Sequence, residues 1–209
     1  MRLPGMLRMS VCLYLFIAGS FSPVSGQDEA DYMIRVECSY WSSCERSLFQ
    51  YDDGTPHWLT EAGMYRGVWF DSEDFYGSPI AVDVEMVEYW FYHHPSVPWD
   101  TDQFYAELWT GTYYYTDDLL DRAESIALHY SPVYVEYEPS MNAGTSFWAM
   151  VNTSLTSNGT PSTLADEFPN WTGFPHSYFS NDFESWEVYI PGSTSITSAS
   201  WGWIKGLFR

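Results

Sequence analysis

Apolar and polar positions alternate in the most regular stretch of the chain. The apolar positions are Ile80, Val82, Val84 and Met86. A period of two places them on one face of a β-strand. After Met86 the phase changes, because Glu88 is polar where the alternation requires an apolar residue. The pattern therefore predicts a strand over 80–92 that contains one extra residue, a β-bulge, near Met86 and Val87.

A second alternating run follows at 103–109, and further predicted strands lie at 132–137, 146–152 and 184–190. Turn-forming Gly, Pro, Asn and Asp residues separate these runs. Short strands at this spacing favour an all-β fold, an antiparallel β-sandwich of the jelly-roll type. The inward positions predict a core that includes Ile80, Val82, Val84, Phe104, Leu108, Val133, Val135, Phe147 and Ala149.

One segment, 117–127, has helical spacing. Its apolar residues are Leu119, Leu120, Ala123 and Ala127. They would share one face of a helix, and the acidic residues that lead the segment are typical of a helix start. The pattern predicts one short helix here, with a loop as the alternative.

The first 26 residues have the pattern of a signal peptide. A basic start, an apolar run at 11–19 and small residues at 24–26 follow one another, and the apolar run is too short to span a bilayer. We expect cleavage after Gly26, with an uncleaved anchor as the alternative, and a secreted or extracytoplasmic protein without membrane insertion after cleavage. The rest divides into an N-terminal segment at 27–47, the sandwich domain at 48–190, and a Ser/Thr-rich linker with a C-terminal element at 191–209.

The chain is strongly acidic and rich in aromatic residues. Its formal net charge is −20 at pH 7, and aromatic residues make up 20% of it. Such a charge argues against nucleic acid and anionic membranes as partners. Aromatic side chains fill β-sandwich cores, but they also form surfaces on which sugars stack. A glycan or a protein is the expected partner, with Trp99, Trp109 and Trp171 as candidate ligand-binding residues.

Two cysteines follow the predicted signal peptide, Cys38 and Cys44. Export favours a disulfide between them. The loop that it would close is short, so it would contribute only about 2 kcal/mol. Two cysteines are too few for a zinc site.

Acidic pairs occur in several predicted turns. Asp100 and Asp102 form an Asp-x-Asp pattern, which is half of a calcium-binding loop. They are therefore the candidate ligands for Ca²⁺. The alternative is that these Asp side chains cap turns.

Three carboxylates, Asp83, Glu85 and Glu88, belong to the strand with the predicted bulge. Their arrangement resembles the catalytic strand of jelly-roll β-glucanases of the laminarinase type, in which a nucleophile Glu, a helper Asp and an acid/base Glu alternate before and after a bulge. Retaining hydrolysis needs two carboxylates about 5 Å apart. Here the types of the first two acids are exchanged. The resemblance implies a glycoside hydrolase as the alternative to a solvent-facing acidic strand.

Five motifs along the chain are YDDGT at 51–55, VPWDTDQFYAELWTG at 97–111, HYSPVYVEYEP at 129–139, FWAMVNTSL at 147–155 and HSYFSNDFESWEVY at 176–189. In this order they resemble an uncharacterised domain of large secreted bacterial proteins, some of which carry peptidase domains. The closing WGWIKGLFR resembles a C-terminal element of other exported bacterial proteins. The resemblance implies a β-sandwich accessory module and supplies no catalytic or binding residues.

Together these patterns favour a secreted, non-catalytic binding or structural module whose ligand is a glycan or a protein. A glycoside hydrolase of the jelly-roll β-glucanase type is the alternative, and it would use the strand at 83–88.

Overall fold

The chain forms an all-β sandwich. The computed structural model describes residues 31–40, 43–56, 58–60, 63–93, 95, 98–113, 115–156, 159–166 and 175–188. The predicted signal peptide, Trp171 and the predicted C-terminal element lie outside these ranges. Within them, no helix is long and apolar enough to cross a membrane.

The described elements follow one another in chain order. They are β1 (Ile34–Tyr40), β2 (Ser43–Phe49), β3 (Trp58–Thr60), β4 (Tyr65–Asp71), α1 (Ser72–Tyr76), β5 (Val82–Trp90), β6 (Gln103–Thr112), β7 (Tyr115–Ile126), β8 (Pro132–Gly144), β9 (Ser146–Asn152), β10 (Thr163–Ala165), β11 (Ser177–Ser180) and β12 (Glu187–Val188).

Two antiparallel sheets pack against each other. One has four strands in the order β2-β1-β5-β8, and the other has six in the order β12-β11-β4-β9-β6-β7. Strands β3 and β10 form a small third sheet. The predicted all-β sandwich is confirmed. β1, from the segment at 27–47, lies between β2 and β5 and is therefore part of the four-stranded sheet.

A β-bulge in β5 keeps both halves of this strand on the core. In the pairing with β1, Met86 lies opposite Glu37. Val84 lies opposite Cys38, the next residue of β1, so Glu85 is the extra residue. The buried residues on the two sides of the bulge are Val82, Val84, Val87 and Tyr89. The predicted bulge is present, and it lies just before the predicted position.

The main core lies between the inner faces of the two sheets. All the predicted core residues are buried except Ile80, which is half-buried just before β5. Aromatic rings fill the space between the sheets, as in the tilted pair of Phe91 and Phe104, whose centroids are 4.7 Å apart. The alternation of the sequence therefore identified the correct faces of its strands.

The helix predicted at 117–127 is wrong, because the segment lies in β7. This is a 12-residue strand at the edge of the six-stranded sheet. Leu108 of β6 pairs with Asp121, whereas the next residue, Trp109, pairs with Leu119. Leu120 is thus an extra residue that changes the phase of the strand. The apolar spacing that is typical of a helix comes from this irregular edge strand.

The short helix of the described residues is α1, directly after β4. The side chain of Asp71 caps it by accepting from the backbone N–H of Glu73, and Gly77 ends it in the left-handed region with φ of 70°. Both caps are standard helix ends. The ring of Phe75 stacks on Phe49 of β2 at a centroid distance of 4.1 Å. The helix thereby closes one end of the sandwich.

The predicted disulfide is not formed, since Cys38 is a free and buried thiol. Alternation along β1 points its side chain into the core, and its pairing partner on β2 is Ser47. Burial, followed by nearby carboxylates, raises the pKa of this thiol. Cys38 is therefore a protonated core residue.

The central strands β4 and β9 of the six-stranded sheet are buried on both faces. Trp69, Trp148 and Trp109 are pairing partners on three adjacent strands and form a row across its outer face. Phe183 lies 4.8 Å from Trp109 and Trp186 lies 5.3 Å from Trp148, measured between ring centroids. These contacts cover the row, so Trp148 is fully buried.

The substitution Gly111→Ala should destabilise the fold strongly. Gly111 has φ of +155°, and a Cβ atom here would clash with the carbonyl oxygen of Tyr115. Backbone cannot yield as a flexible side chain can, so we expect the free energy of unfolding to fall by about 3 kcal/mol. Urea unfolding of the purified protein measures this.

Gly144→Ala is the matched control. Gly144 has φ of +75°, but nothing lies within 4 Å of a Cβ atom built there. It therefore tests the left-handed backbone alone, which costs about 1 kcal/mol. Equal losses for the two variants would contradict the proposed backbone clash at Gly111.

Candidate functional site

The three carboxylates predicted as alternative catalytic residues lie on the outer face of the four-stranded sheet. Asp83, Glu85 and Glu88 are all half-buried on β5. Asp83 precedes the bulge, Glu85 is its extra residue and Glu88 follows it. The bulge changes the phase of the strand, so Glu88 shares this outer face with Asp83 although the two are an odd number of residues apart.

Asp83 and Glu85 are each held by a polar neighbour. Asp83 accepts from Nδ2 of Asn142 at 2.9 Å. Glu85 is 2.7 Å from Nε of Arg46, which also contacts Glu37. Such exposed pairs are weak, roughly 0.2–1 kcal/mol each. They nevertheless give each carboxylate a positioned partner.

Glu88 organises the opposite end of this face. Its Oε1 accepts from Nη1 of Arg35 at 2.9 Å and from the indole N–H of Trp90 at 2.5 Å. Tyr134 lies directly opposite Glu88 on β8. Desolvation, followed by the charge of Glu88 and a hydrogen bond to it, raises the pKa of Tyr134. One carboxylate therefore orients a guanidinium, an indole and a phenol.

Arg35 is fixed from its other side as well. Its Nη2 lies 2.7 Å from Oδ1 of Asp52, a carboxylate with no exposed side-chain surface. Charge-assisted pairs with several hydrogen bonds are the stronger kind. The guanidinium also lies 5.9 Å from the ring centroid of Trp90, within the range of a cation–π contact. The Trp90 side chain is thus held by both charges.

An aromatic surface adjoins these charges. We call Trp90, Tyr130 and Tyr134 the aromatic platform. Tyr130 is 53% exposed and Tyr134 is 51% exposed, which is unusual for such large side chains. The rings of Trp90 and Tyr130 meet edge to face at 6.5 Å, and Tyr92 meets Tyr130 in the same way at 6.1 Å. Exposed aromatic groups clustered in this way mark binding sites.

The backbone of Tyr130 is strained. Its φ is 52°, in the left-handed region, and a bulky residue rarely occupies it. The N–H of Tyr130 donates to the carbonyl oxygen of Phe91 at 2.8 Å. Strain of this kind costs about 1–3 kcal/mol and is concentrated at functional sites. The conformation presents the ring of Tyr130 beside Trp90.

The tryptophans predicted as ligand-binding residues occupy different environments. Trp99 is half-buried against the main core and stacks on His93 at 4.8 Å. Trp109 is half-buried on the other sheet, and its indole N–H donates to the buried Glu107 at 2.8 Å. Trp171 lies outside the described residues. The structure therefore does not bring Trp99 or Trp109 to the aromatic platform.

The sequence contained a signal for one residue of the platform. Val133 and Val135 were predicted to face the core, so the alternation also places Tyr134 outside. The exposure of Tyr130 could not be predicted, because it depends on a left-handed backbone in the connection between β7 and β8.

Asp100 and Asp102, the candidate calcium ligands, are both exposed before β6. The backbone N–H of Asp100 donates to Oγ1 of Thr160, and the carbonyl oxygen of Asp102 accepts from Ala127. In the part of the chain that the structure describes, no three His, Cys, Asp or Glu residues are grouped to hold a metal ion. Among the described residues, the structure therefore adds no further candidate Ca²⁺ ligand to Asp100 and Asp102.

Comparison of the chain with protein-family models, with curated proteins and with solved structures finds no match.

Several buried titratable groups lie outside the platform, among them Asp166 and His176. The ring of His176 stacks on Tyr51 at a centroid distance of 3.6 Å, and its Nδ1 is 3.1 Å from the carbonyl oxygen of Trp69. Nε2 is 3.7 Å from Asp74. Burial lowers the pKa of His176 to about 4, although the contact with Trp69 acts in the opposite direction. The imidazole is therefore neutral at pH 7.

Asp166 is another of these groups. Its carboxylate accepts from the backbone N–H groups of Asp31 at 2.8 Å and Asp53 at 3.0 Å. Burial raises the pKa of Asp166 to about 6, even though these two hydrogen bonds lower it. The group thus ties the start of the described chain to the turn after β2.

These two shifts affect stability in opposite directions. Folded His176 resists protonation, so its contribution is lost as the pH falls from 6.5 towards about 4. Asp166 binds a proton more readily in the folded protein than in the unfolded chain. Its contribution is therefore present at low pH and lost as the pH rises from 3.8 through about 6.

Asp166→Asn should make acid destabilisation steeper. The variant keeps the His176 contribution but loses the opposing one, so its free energy of unfolding should fall more between pH 6 and pH 4 than that of the parent. Urea unfolding at several pH values measures the slopes. His176→Asn should change the slope in the opposite direction. Parallel slopes for all three proteins would contradict the assignment.

Proposed function

We propose that this protein is an exported, non-catalytic module that binds glycans on the aromatic platform. The observation that carries the proposal is the pair of exposed tyrosines beside Trp90, with Glu88 hydrogen-bonded to the indole. Large aromatic side chains are normally buried, so half-exposed rings held in fixed positions fit a ligand surface.

The chemistry of the platform suits a sugar. The apolar C–H face of a sugar ring packs on an aromatic ring, and the surrounding hydroxyls need polar partners. Glu88, Arg35 and the Tyr134 hydroxyl supply acceptors and donors beside the rings. Because Arg35 and Tyr134 are both already hydrogen-bonded to Glu88, little ordering of these side chains remains on binding, which favours affinity.

A protein partner is the second candidate, and it is favoured by two exposed aliphatic side chains. Ile126 and Leu128 are 54% and 48% exposed and lie just before Tyr130 in the chain. Aliphatic side chains contribute to protein interfaces but offer no flat surface to a sugar ring. Substitution of these two residues therefore separates the two kinds of partner.

A glycoside hydrolase remains the alternative activity. It is favoured by the common outer face of Asp83, Glu85 and Glu88 on a bulged strand. The pairing of Glu85 with Arg46 and of Glu88 with Arg35 weakens it, since a catalytic acid must be able to hold a proton. We therefore place binding before catalysis.

Tyr134→Ala should abolish most glycan binding. Loss of this exposed stacking ring of the platform should weaken affinity at least tenfold, or about 1.4 kcal/mol. A glycan array identifies a ligand, and calorimetric titration then compares the variants. Tyr115→Ala is the matched control, because Tyr115 is 70% exposed but lies on β7. Equal weakening by both variants would contradict the site.

The double substitution Ile126→Ser and Leu128→Ser should leave glycan affinity unchanged. If the array shows no glycan bound by the parent protein, the glycan proposal is wrong.

The hydrolase alternative has its own test. We expect no release of reducing sugar from β-glucans by the parent protein or by Glu88→Gln, because Glu85 and Glu88 are engaged by arginines. Turnover by the parent that disappears in Glu88→Gln would establish catalysis and overturn the non-catalytic proposal.

A further inference from the structure

We propose that the aromatic platform prefers glycans that carry protonated amino groups, such as glucosamine oligosaccharides. This inference rests on the proposed glycan-binding function and adds the charge of the ligand. It follows from two observations. The basic side chains of the described residues are already paired within the protein, whereas a carboxylate near the platform is not.

Every basic side chain in the described part of the chain is already bonded to the protein itself. Arg35 contacts Asp52 and Glu88, and Arg46 contacts Glu37 and Glu85.

The other two described basic residues are engaged as well. Arg122 contacts the buried Glu107 at 2.7 Å. Arg66 is fully buried and donates to the carbonyl oxygens of Gly63, Gly159 and Pro161. The described surface therefore has no uncommitted cation with which to attract a uronic or sulfated sugar.

The platform lies on a face where carboxylates outnumber guanidiniums. The carboxylates of this face are Glu37, Asp83, Glu85, Glu88 and Glu136, and the guanidiniums are Arg35 and Arg46. Glu136 is exposed and is two residues from Tyr134 on β8, so the two side chains share a face roughly 7 Å apart. No hydrogen bond or ion pair engages Glu136 within the described residues.

An ammonium group on a sugar would meet two favourable partners here. Its charge is attracted to the faces of Tyr and Trp rings and to a nearby carboxylate. The platform supplies the rings, and Glu136 supplies the carboxylate. N-acetylation of the sugar removes the charge but keeps the ring, so stacking alone would remain. A carboxylate on the sugar would be repelled.

The test uses three hexasaccharides titrated into the full-length protein, one of glucosamine, one of N-acetylglucosamine and one of galacturonic acid. Binding of the glucosamine hexasaccharide should be measured at a pH below the pKa of its amino groups. We expect affinity to fall in that order, with about a three- to tenfold advantage of the amine over the acetylated sugar at low salt. This advantage should shrink as salt screens the attraction.

Glu136→Gln separates charge from stacking. It should lower affinity for the glucosamine oligosaccharide by about two- to fivefold and leave the acetylated one unchanged. Glu124→Gln is the control, because Glu124 is exposed on β7 of the other sheet. Thermal melting before titration confirms that each variant is folded.

The outcomes distinguish this inference from the proposed function. Equal affinity for the amine and acetylated sugars, with both lost in Tyr134→Ala, would overturn the charge preference and leave the binding site standing. Tighter binding of the galacturonic acid oligosaccharide would also overturn it. Failure of all three to bind would overturn the preference, whereas an array hit of another composition would still support glycan binding.

Discussion

The extra residue in β5 is the constraint on which the structure depends. A strand has a side-chain period of two, so a slip of one residue exchanges its two faces. Without Glu85 as a bulge, Val87 and Tyr89 would turn to solvent while Glu88 and Trp90 would enter the core. The same irregularity that completes the core therefore places an acid and an indole on the outer face. Core packing and the candidate site share one cause.

The two sheets differ in what their outer faces can do. The outer face of the six-stranded sheet is filled by a row of tryptophans, and Phe183 and Trp186 cover it. Even its polar group, Glu107, is buried and satisfied by Arg122, Asn152 and Trp109. The four-stranded sheet instead keeps charged and aromatic groups half-exposed. A ligand that binds a sheet face can therefore reach this sheet with less rearrangement, and this is why we place the site there.

The sequence predicted the regular strands and the bulge in β5, but it missed the irregularity of β7. Buried strands at 80–92 and 103–109 alternate because one face is in the core, and the structure confirms their predicted core residues except Ile80. The edge strand β7 is less completely buried, and its extra residue, Leu120, produced a helical spacing. The predicted disulfide was wrong, because the spacing of two cysteines does not show that the side chain of Cys38 points into the core. Tyr134 followed from alternation, whereas Tyr130 required a backbone conformation that no period reveals.

The two strained aromatic residues support different conclusions about function. Phe183 has φ of 66°, and its ring packs on Trp109 at 4.8 Å and Tyr65 at 5.0 Å. This burial of apolar surface offsets the strain within the fold. Tyr130 has similar strain, but its side chain is 53% exposed, and its ring centroid is more than 6 Å from those of Trp90, Tyr92 and His129. Packing within the fold therefore offsets less of the free-energy cost of this backbone conformation. Strain that packing does not offset fits a residue that is kept in place for a contact outside the chain.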